Sequence, residues 1–379
     1  IVESNQKWGW QSVYDELKKD GRFELLLVTL PLTTRFKDKI YPQAEDIEFF
    51  TKIGMPIIDG YDYEKGVSID LKKLGADIIF YTHPWFVDSH KIPPAITSEY
   101  ALTVAISYGF NMVESKCWGT TTPKRFCGNL WTMFAESKWH KPFYEKGTQL
   151  KNKDILYVTG YPKMDTYSLP VMFDFEKLWK DDNHTKPRII YAPHHSIERE
   201  GGFGMSNFVE HAHWFLDFAK KHQEYSFLIK PHPVLKSKCV ATGFMTEEEY
   251  ESYINSWKEL PNGNAYTLGN YYDIFKTSDI LITDCSSFLG EYFVSGKPIV
   301  LLESNSRMPF NGFGEKLKTG MYVPKNIKEI EFILQDVFLN KKDYLKETRE
   351  KIIAEYFFLP EGGIGKYIVN YLYKQLNLV

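Results

Sequence analysis

The sequence predicts an α/β protein built from two doubly wound domains, and three observations carry that reading. Apolar runs of strand length alternate with helix-length amphipathic segments in both halves of the chain. That alternation is the pattern of mostly parallel sheets covered on both faces. It pauses once, in a charge-dense polar stretch at 177–186, and then restarts. A chain of 379 residues is long for one core and natural for two.

In the first half, residues 10–19 and 46–53 read as helices, and 23–30, 56–59, 77–81 and 102–107 as strands. The strand at 77–81 stops at His83-Pro84-Trp85. Residues 131–137 and 155–159 precede Gly160-Tyr161-Pro162-Lys163-Met164-Asp165. In the second half, strands are expected at 188–192, 225–230, 265–268, 278–284 and 299–302. Helices are expected at 207–222, 246–257, 273–276, 327–339, 342–357 and 365–375. The organisation predicted is residues 1–170 as an N-terminal Rossmann-like domain and 171–355 as a C-terminal Rossmann-like domain. A last helix within 356–379 packs back toward the first domain. The two domains are expected to face a central cleft, with ligands at the carboxyl ends of the strands.

Composition narrows the function classes. Hydrophobic residues make up 43% and charged residues 25%, ordinary values for a globular protein, and the net charge of −3 argues against a nucleic-acid binder that works by basicity. Aromatics reach 16%, which large cores explain. The cysteines, Cys117, Cys127, Cys239 and Cys285, form no C-x-x-C pair, so a reducing cytosol is expected. No apolar run is long enough to span a membrane. The chain opens at Ile1 without Met, consistent with a longer natural chain.

Three strand ends in the second half carry unusual polar groups. They are His194-His195, Lys230-Pro231-His232-Pro233 and Asp284-Cys285-Ser286-Ser287. The last begins a helix, where free N–H groups and the positive helix end favour phosphate. If the strands are parallel neighbours, Lys230 and His232 meet a diphosphate as charge and donor, and Ser286, Ser287 and Asp284 complete the turn. Glu291, four residues beyond Ser287, is placed to accept hydrogen bonds from a ribose. Taken singly, each residue has a plain alternative as a helix cap, strand end or core histidine; together they point to a site. Seven of the ten histidines fall between His184 and His232, but His211 and His213 point to different faces of their helix. No metal and no cofactor are expected. Gly201-Gly202-Phe203-Gly204 lacks the spacing and the Lys-Ser/Thr of a P-loop, and no serine-hydrolase elbow is present.

The SDILITDCSSF turn, the GKPIV beyond it, the KPHP and YAP strand ends and VTGYPKMD at 158–165 resemble the CDP-glycerol glycerophosphotransferase family. These are teichoic-acid and capsule polymer transferases of the TagF/TagB type with a GT-B fold. The resemblance covers roughly residues 75–370 and implies that His232, Ser286 and Ser287 contact the nucleotide diphosphate, with Lys230 beside them. It implies transfer of glycerol or ribitol phosphate from a CDP-activated donor to a hydroxyl of a surface polysaccharide or lipid-linked acceptor, with release of CMP. The alternative is a GT-B glycosyltransferase using a nucleotide sugar; a non-catalytic binding module and a sugar epimerase on the same fold are further readings. Where the family carries a His-Gly general base, this chain reads Ile106-Ser107-Tyr108-Gly109-Phe110. The candidate bases are therefore His83, or His194 and His195. The expected setting is cytoplasmic, with peripheral contact at the inner face of the bacterial membrane. Lys341, Lys342, Lys346, Arg349 and Lys351 lie beside apolar Tyr344, Leu345, Ile352 and Ile353 there, in a helix that either rests on a bilayer or packs on its domain.

Overall fold

A computed structural model describes residues 1–33, 40–41, 43–83, 90–114, 126–148, 153–171, 178–181, 184–198, 204–267 and 271–378. Pro84, Trp85, Cys117, Leu268 and the Gly201–Phe203 part of the glycine-rich stretch lie outside these residues. The chain divides into two compact units: 1–110, 115–166 and 356–379 form the first, and 111–114 with 167–355 the second.

In the first unit, β1 (Leu27–Thr29) pairs in parallel with β2 (Ile57–Asp59). Only the last part of the apolar run 23–30 is strand, because Val2 and Ile57–Asp59 reach no further along it. Four parallel strands form the main sheet: β3 (Ile78–Tyr81), β4 (Leu102–Ile106), β5 (Thr132–Ala135) and β6 (Leu156–Val158), in the order β6-β5-β4-β3. Their buried faces run together with Leu30, Ile92, Cys127 and Tyr144 into one core. The helix Gln11–Lys18 packs on the helix Ile364–Gln375 at Gly365, where a side-chain carbon would come within 2.5 Å of the Ser12 backbone. Asp165 takes the N–H groups of Ile364 and Gly365 on its two oxygens at 2.8 and 2.7 Å, capping that last helix. The aspartate of the Gly160–Asp165 segment thereby ties residues 356–378 to this unit.

The second unit is a five-stranded parallel sheet: β7 (Arg188–Ala192), β8 (Ser226–Ile229), β9 (Gly263–Ala265), β10 (Ile280–Thr283) and β11 (Ile299–Leu301), in the order β9-β8-β7-β10-β11. Every residue of β7, β8, β10 and β11 is buried. The near-continuous Ile, Leu and Val runs are those of a sheet covered on both faces. One face packs on Phe208, Phe215, Tyr253 and Trp257 from the helices Phe208–Lys221 and Glu247–Glu259. The strand order reverses between β7 and β10, so this is the switch point at which the carboxyl ends open a crevice.

Three local expectations change. The edge strand lies at Gly263–Ala265 and not at 265–268: pairing with Phe227–Ile229 overrides the poor strand propensity of Gly263 and Asn264. The stretch 327–339 divides into the helix Glu329–Leu334 and a π-helical turn, Gln335–Leu339. The expected helix at 342–357 begins only at Lys346 and packs inward. Arg349 is 0% exposed and donates to Gly296 O, Gly320 O and Asp343, and Ile352 is buried. Neither residue is available to a bilayer.

Candidate functional site

The crevice of the second unit is assembled from the residues just beyond each strand. After β7, Pro193 ends the ladder and His194-His195 turn over the sheet; after β8, Lys230 N still bonds to Tyr191 O and His232 N to Pro193 O. After β10, Asp284 is fully buried and acts as a tie. Its Oδ1 accepts the His194 N–H at 2.6 Å and its Oδ2 the Asn207 N–H at 2.7 Å. Burial raises its pKa to about 6 against the opposing pull of the two N–H groups. The structure thus gives Asp284 the task of joining the β7 and β10 turns beneath the site.

The three histidines meet. Ring centroids are 4.1 Å apart for His194 and His195, 4.2 Å for His195 and His232, and 5.2 Å for His194 and His232. Burial lowers all three pKa values, to about 4 for His195 and about 3 for His232, so the rings are neutral near pH 7. Their tautomers are readable. His194 Nδ1 accepts the Ser196 N–H at 3.2 Å and lies 2.8 Å from Ser196 Oγ, which in turn accepts the Met205 N–H. His232 Nδ1 accepts the Val234 N–H at 3.2 Å. A nitrogen that accepts carries no proton, so both neutral rings hold theirs on Nε2 and present N–H donors.

These tautomers bear on two candidate ligands. One ring nitrogen from each histidine lies within 4.8 Å of the others, close enough for a shared metal ion. A metal-bound histidine, however, donates its second nitrogen's N–H to an acceptor, leaving the first nitrogen's lone pair for the ion. Here the second nitrogens of His194 and His232 accept, and the arrangement fits an anion. His195 is different: its buried Nδ1 has no hydrogen-bond partner among the described residues.

Two cations complete the set. Lys230 is 2% exposed, and among the described residues its ammonium hydrogen-bonds only the Pro231 carbonyl, at 3.4 Å, and lies 5.9 Å from the Tyr266 ring centroid. Burial lowers its pKa to about 8. Arg307, in the segment after β11, is the site residue that sequence reasoning misses. None of its three guanidinium nitrogens has a partner among the described residues, and the group lies 4.0 Å from the Phe310 ring centroid. Burial lowers its pKa, and its charge is felt by His194 and Asp284. The signal available in the sequence was its position after the last parallel strand, beside β10.

The helix Ser286–Phe293 opens on this crevice. Its cap is Cys285, in extended conformation with no side-chain cap bond, so Ser286 and Ser287 are the first helical residues and not caps. Ser287 Oγ lies 3.2 Å from Cys285 Sγ. Glu291 is placed less openly than a ribose acceptor requires: it is 3% exposed, and its Oε2 accepts from both Tyr271, at 2.6 Å, and Tyr272. His83 belongs to the first unit and is 1% exposed. Its Nε2 lies 3.3 Å from Glu3, and burial lowers its pKa to about 4. Its ring meets Tyr108 edge-on at 6.1 Å between centroids.

Fold and site together define a GT-B protein with a crevice of cations and imidazoles at the switch point of its second sheet. Three solved structures are similar over nearly the whole chain. The wall teichoic acid polymerase TagF, in a structure with CDPG, has a TM-score of 0.62 and 15% identity, covering 99% of this chain and 88% of that one. The S. aureus MnaA–UDP co-structure has a TM-score of 0.61 and 13% identity, covering 100% and 96%. UDP-GlcNAc 2-epimerase from Neisseria meningitidis, bound to UDP-GlcNAc, has a TM-score of 0.61 and 12% identity, covering 98% of both. No curated protein sequence matches the chain. Sequence assigns the family: the model of the CDP-glycerol:poly(glycerophosphate) glycerophosphotransferases matches residues 106–307. The chain belongs to that family and is a transferase of its type.

Proposed function

We propose that the protein transfers a polyol phosphate, glycerol or ribitol phosphate, from a CDP-activated donor to a hydroxyl of a teichoic-acid-like or capsule polymer, releasing CMP. One observation carries the assignment of the donor site. A buried and a half-buried cation with no carboxylate partner among the described residues, and two imidazoles fixed as N–H donors, share one crevice beside a helix N-terminus. Burying such charges unpaired is costly, and a diphosphate offsets that cost.

The acceptor hydroxyl attacks the distal phosphorus, and the bond from that phosphorus to the CMP oxygen breaks. Lys230, Arg307 and the Nε2–H groups of His194 and His232 stabilise the charge that gathers on the phosphates. Ser286 and Ser287 add hydroxyls and the first-turn N–H groups. The acceptor proton goes to His195, whose Nδ1 is not already committed as an acceptor among the described residues. His83, enclosed beside Glu3, acts through the orientation of Tyr108. Glu291 acts by holding the Tyr271 and Tyr272 hydroxyls at the base of the helix.

A second reading, glycosyl transfer from a nucleotide sugar in the same crevice, is favoured by Tyr108 standing where the family has its histidine. Tracking CMP release from CDP-glycerol and CDP-ribitol, and nucleoside diphosphate release from sugar donors, with acceptor present, separates the two. Turnover of sugar donors alone overturns the first reading.

The acceptor is lipid-linked and the protein works at the inner face of the membrane as a peripheral protein. No described helix is long and apolar enough to cross a membrane. The surface suited to contact is the turn where exposed Lys341, Lys342 and Lys346 flank Leu339 and Tyr344, 63% and 65% exposed. Co-sedimentation with anionic vesicles that survives Tyr344→Ser with Lys342→Glu sinks that placement.

A further inference from the structure

Beside the anion crevice, within the second unit, lies a separate polar cavity of about 450 Å³, in the size range of small-molecule sites. Its walls are the segment after β7, the first turn of the helix Phe208–Lys221 and the segment after β11. The two spaces share supports. Ser196 lines the cavity while its Oγ lies 2.8 Å from His194 Nδ1, and Ser306, on the opposite wall, directly precedes Arg307.

The chemistry of the cavity is the reverse of the crevice. Among the described residues, no lysine, arginine or histidine lines it. It is ringed by serine hydroxyls, side-chain amides and the carboxylates of Glu198, Glu210 and Glu303. Glu198 and Glu303 are each held through Oε1, by Lys238 at 2.5 Å and Lys318 at 2.7 Å, which leaves the second oxygen of each as an acceptor. Such walls offer acceptors and, among the described residues, no lining cation for a phosphate, and they match a group that brings several O–H donors. They also enclose far more room than a three-carbon chain fills.

We propose that this cavity receives the transferred group of the donor and selects an uncharged polyhydroxyl group larger than glycerol, a five-carbon polyol or a hexose. The inference rests on the nucleotide-donor reading of the adjoining crevice and specifies what that donor carries. The crevice then holds the diphosphate, and the cavity reads the hydroxyls beyond it.

Titration calorimetry of the full chain with CDP, CDP-glycerol, CDP-ribitol and CDP-glucose tests the proposal. The expected result is affinity for CDP-ribitol or CDP-glucose about tenfold above that for CDP, with CDP-glycerol close to CDP. Asn305→Trp, on an exposed wall position, and Glu210→Gln should each bring the preferred donor down to the CDP level while CDP itself binds as before. Equal affinity for all four ligands, or a preference untouched by both variants, overturns the cavity proposal with the crevice reading intact. A protein that binds none of the four, CDP included, overturns the nucleotide reading and this proposal with it.

Discussion

The two units place polar residues at the carboxyl ends of parallel strands in opposite ways. In the first, most of them answer one another, and the atoms left over among the described residues at Thr82 and Glu136, a hydroxyl and a carboxylate oxygen, carry no positive charge. His140 has Ser137 Oγ at 2.7 Å on Nδ1 and Glu136 at 3.5 Å from Nε2, and the same Glu136 oxygen accepts the Tyr144 hydroxyl. His90 sits between Ser68 Oγ and the Pro31 carbonyl. In the second, Lys230 is buried, and the half-buried Arg307 and His195 turn inward nitrogens that have no partner among the described residues. A self-satisfied network stabilises a fold, whereas an unsatisfied one costs stability unless a ligand completes it. The difference, unpaired cations in the second unit and none among the leftover groups of the first, supports the proposed donor site in the second unit.

The largest expected effects break that comparison most directly. His195→Ala should lower transfer by roughly 100-fold or more, as removal of a general base does, while CDP affinity changes by less than about threefold. Arg307→Ala should instead weaken CDP binding by roughly 10- to 100-fold, the worth of a charge-assisted hydrogen bond of about 1.5–3 kcal/mol. In the first unit, His140→Ala should cost about 2–4 kcal/mol of stability in urea unfolding, through the cavity it leaves and the loss of its Ser137 and Glu136 contacts. CDP affinity should not change with it.

A sharper contrast comes from stability. Lys230 has its pKa lowered to about 8 by burial, so its charged form opposes folding below pH 8 and that cost fades as pH rises toward the unfolded value. Lys230→Met should therefore stabilise the unliganded protein by about 1–3 kcal/mol at pH 7 and abolish tight CDP binding. The same value predicts that wild-type CDP affinity falls as pH rises through 8, and that Lys230→Met removes this slope.

The smallest effect concerns the imidazoles. Their folded pKa values lie below the unfolded value, so the unfolded chain binds protons first and stability is lost as pH falls below about 6.5. Asp284, raised to about 6, works in the opposite sense over the range from about 6 to 4. His232→Gln should reduce the acid loss by about 1.4 kcal/mol per pH unit between pH 6 and 4, read from urea midpoints.

The fold was legible where apolar runs are long and end abruptly. Ile189–Ala192, Phe227–Ile229 and Ile280–Thr283 announce buried parallel strands, and the polar groups after them stand where such strands must open. What periodicity does not carry was harder to read. Gly263–Ala265 is a strand because of its partners. Arg349 looks like a surface charge until Gly296, Gly320 and Asp343 are seen around it. Arg307 sits in an irregular segment, where no pattern separates a half-buried arginine from a solvated one. The tautomers that tell an anion site from a metal site depend on the Ser196 and Val234 N–H groups, which only a three-dimensional structure shows.

The central claim is that the second unit's strand ends bind a nucleotide through its diphosphate. Parallel calorimetric titrations of the wild-type chain with CDP and with cytidine at pH 7 test it most directly. The account predicts saturable CDP binding at least about 100-fold tighter than cytidine, a gap that shrinks about tenfold or more in Arg307→Ala. Equal affinity for the two ligands, or a gap that Arg307→Ala leaves untouched, would contradict it.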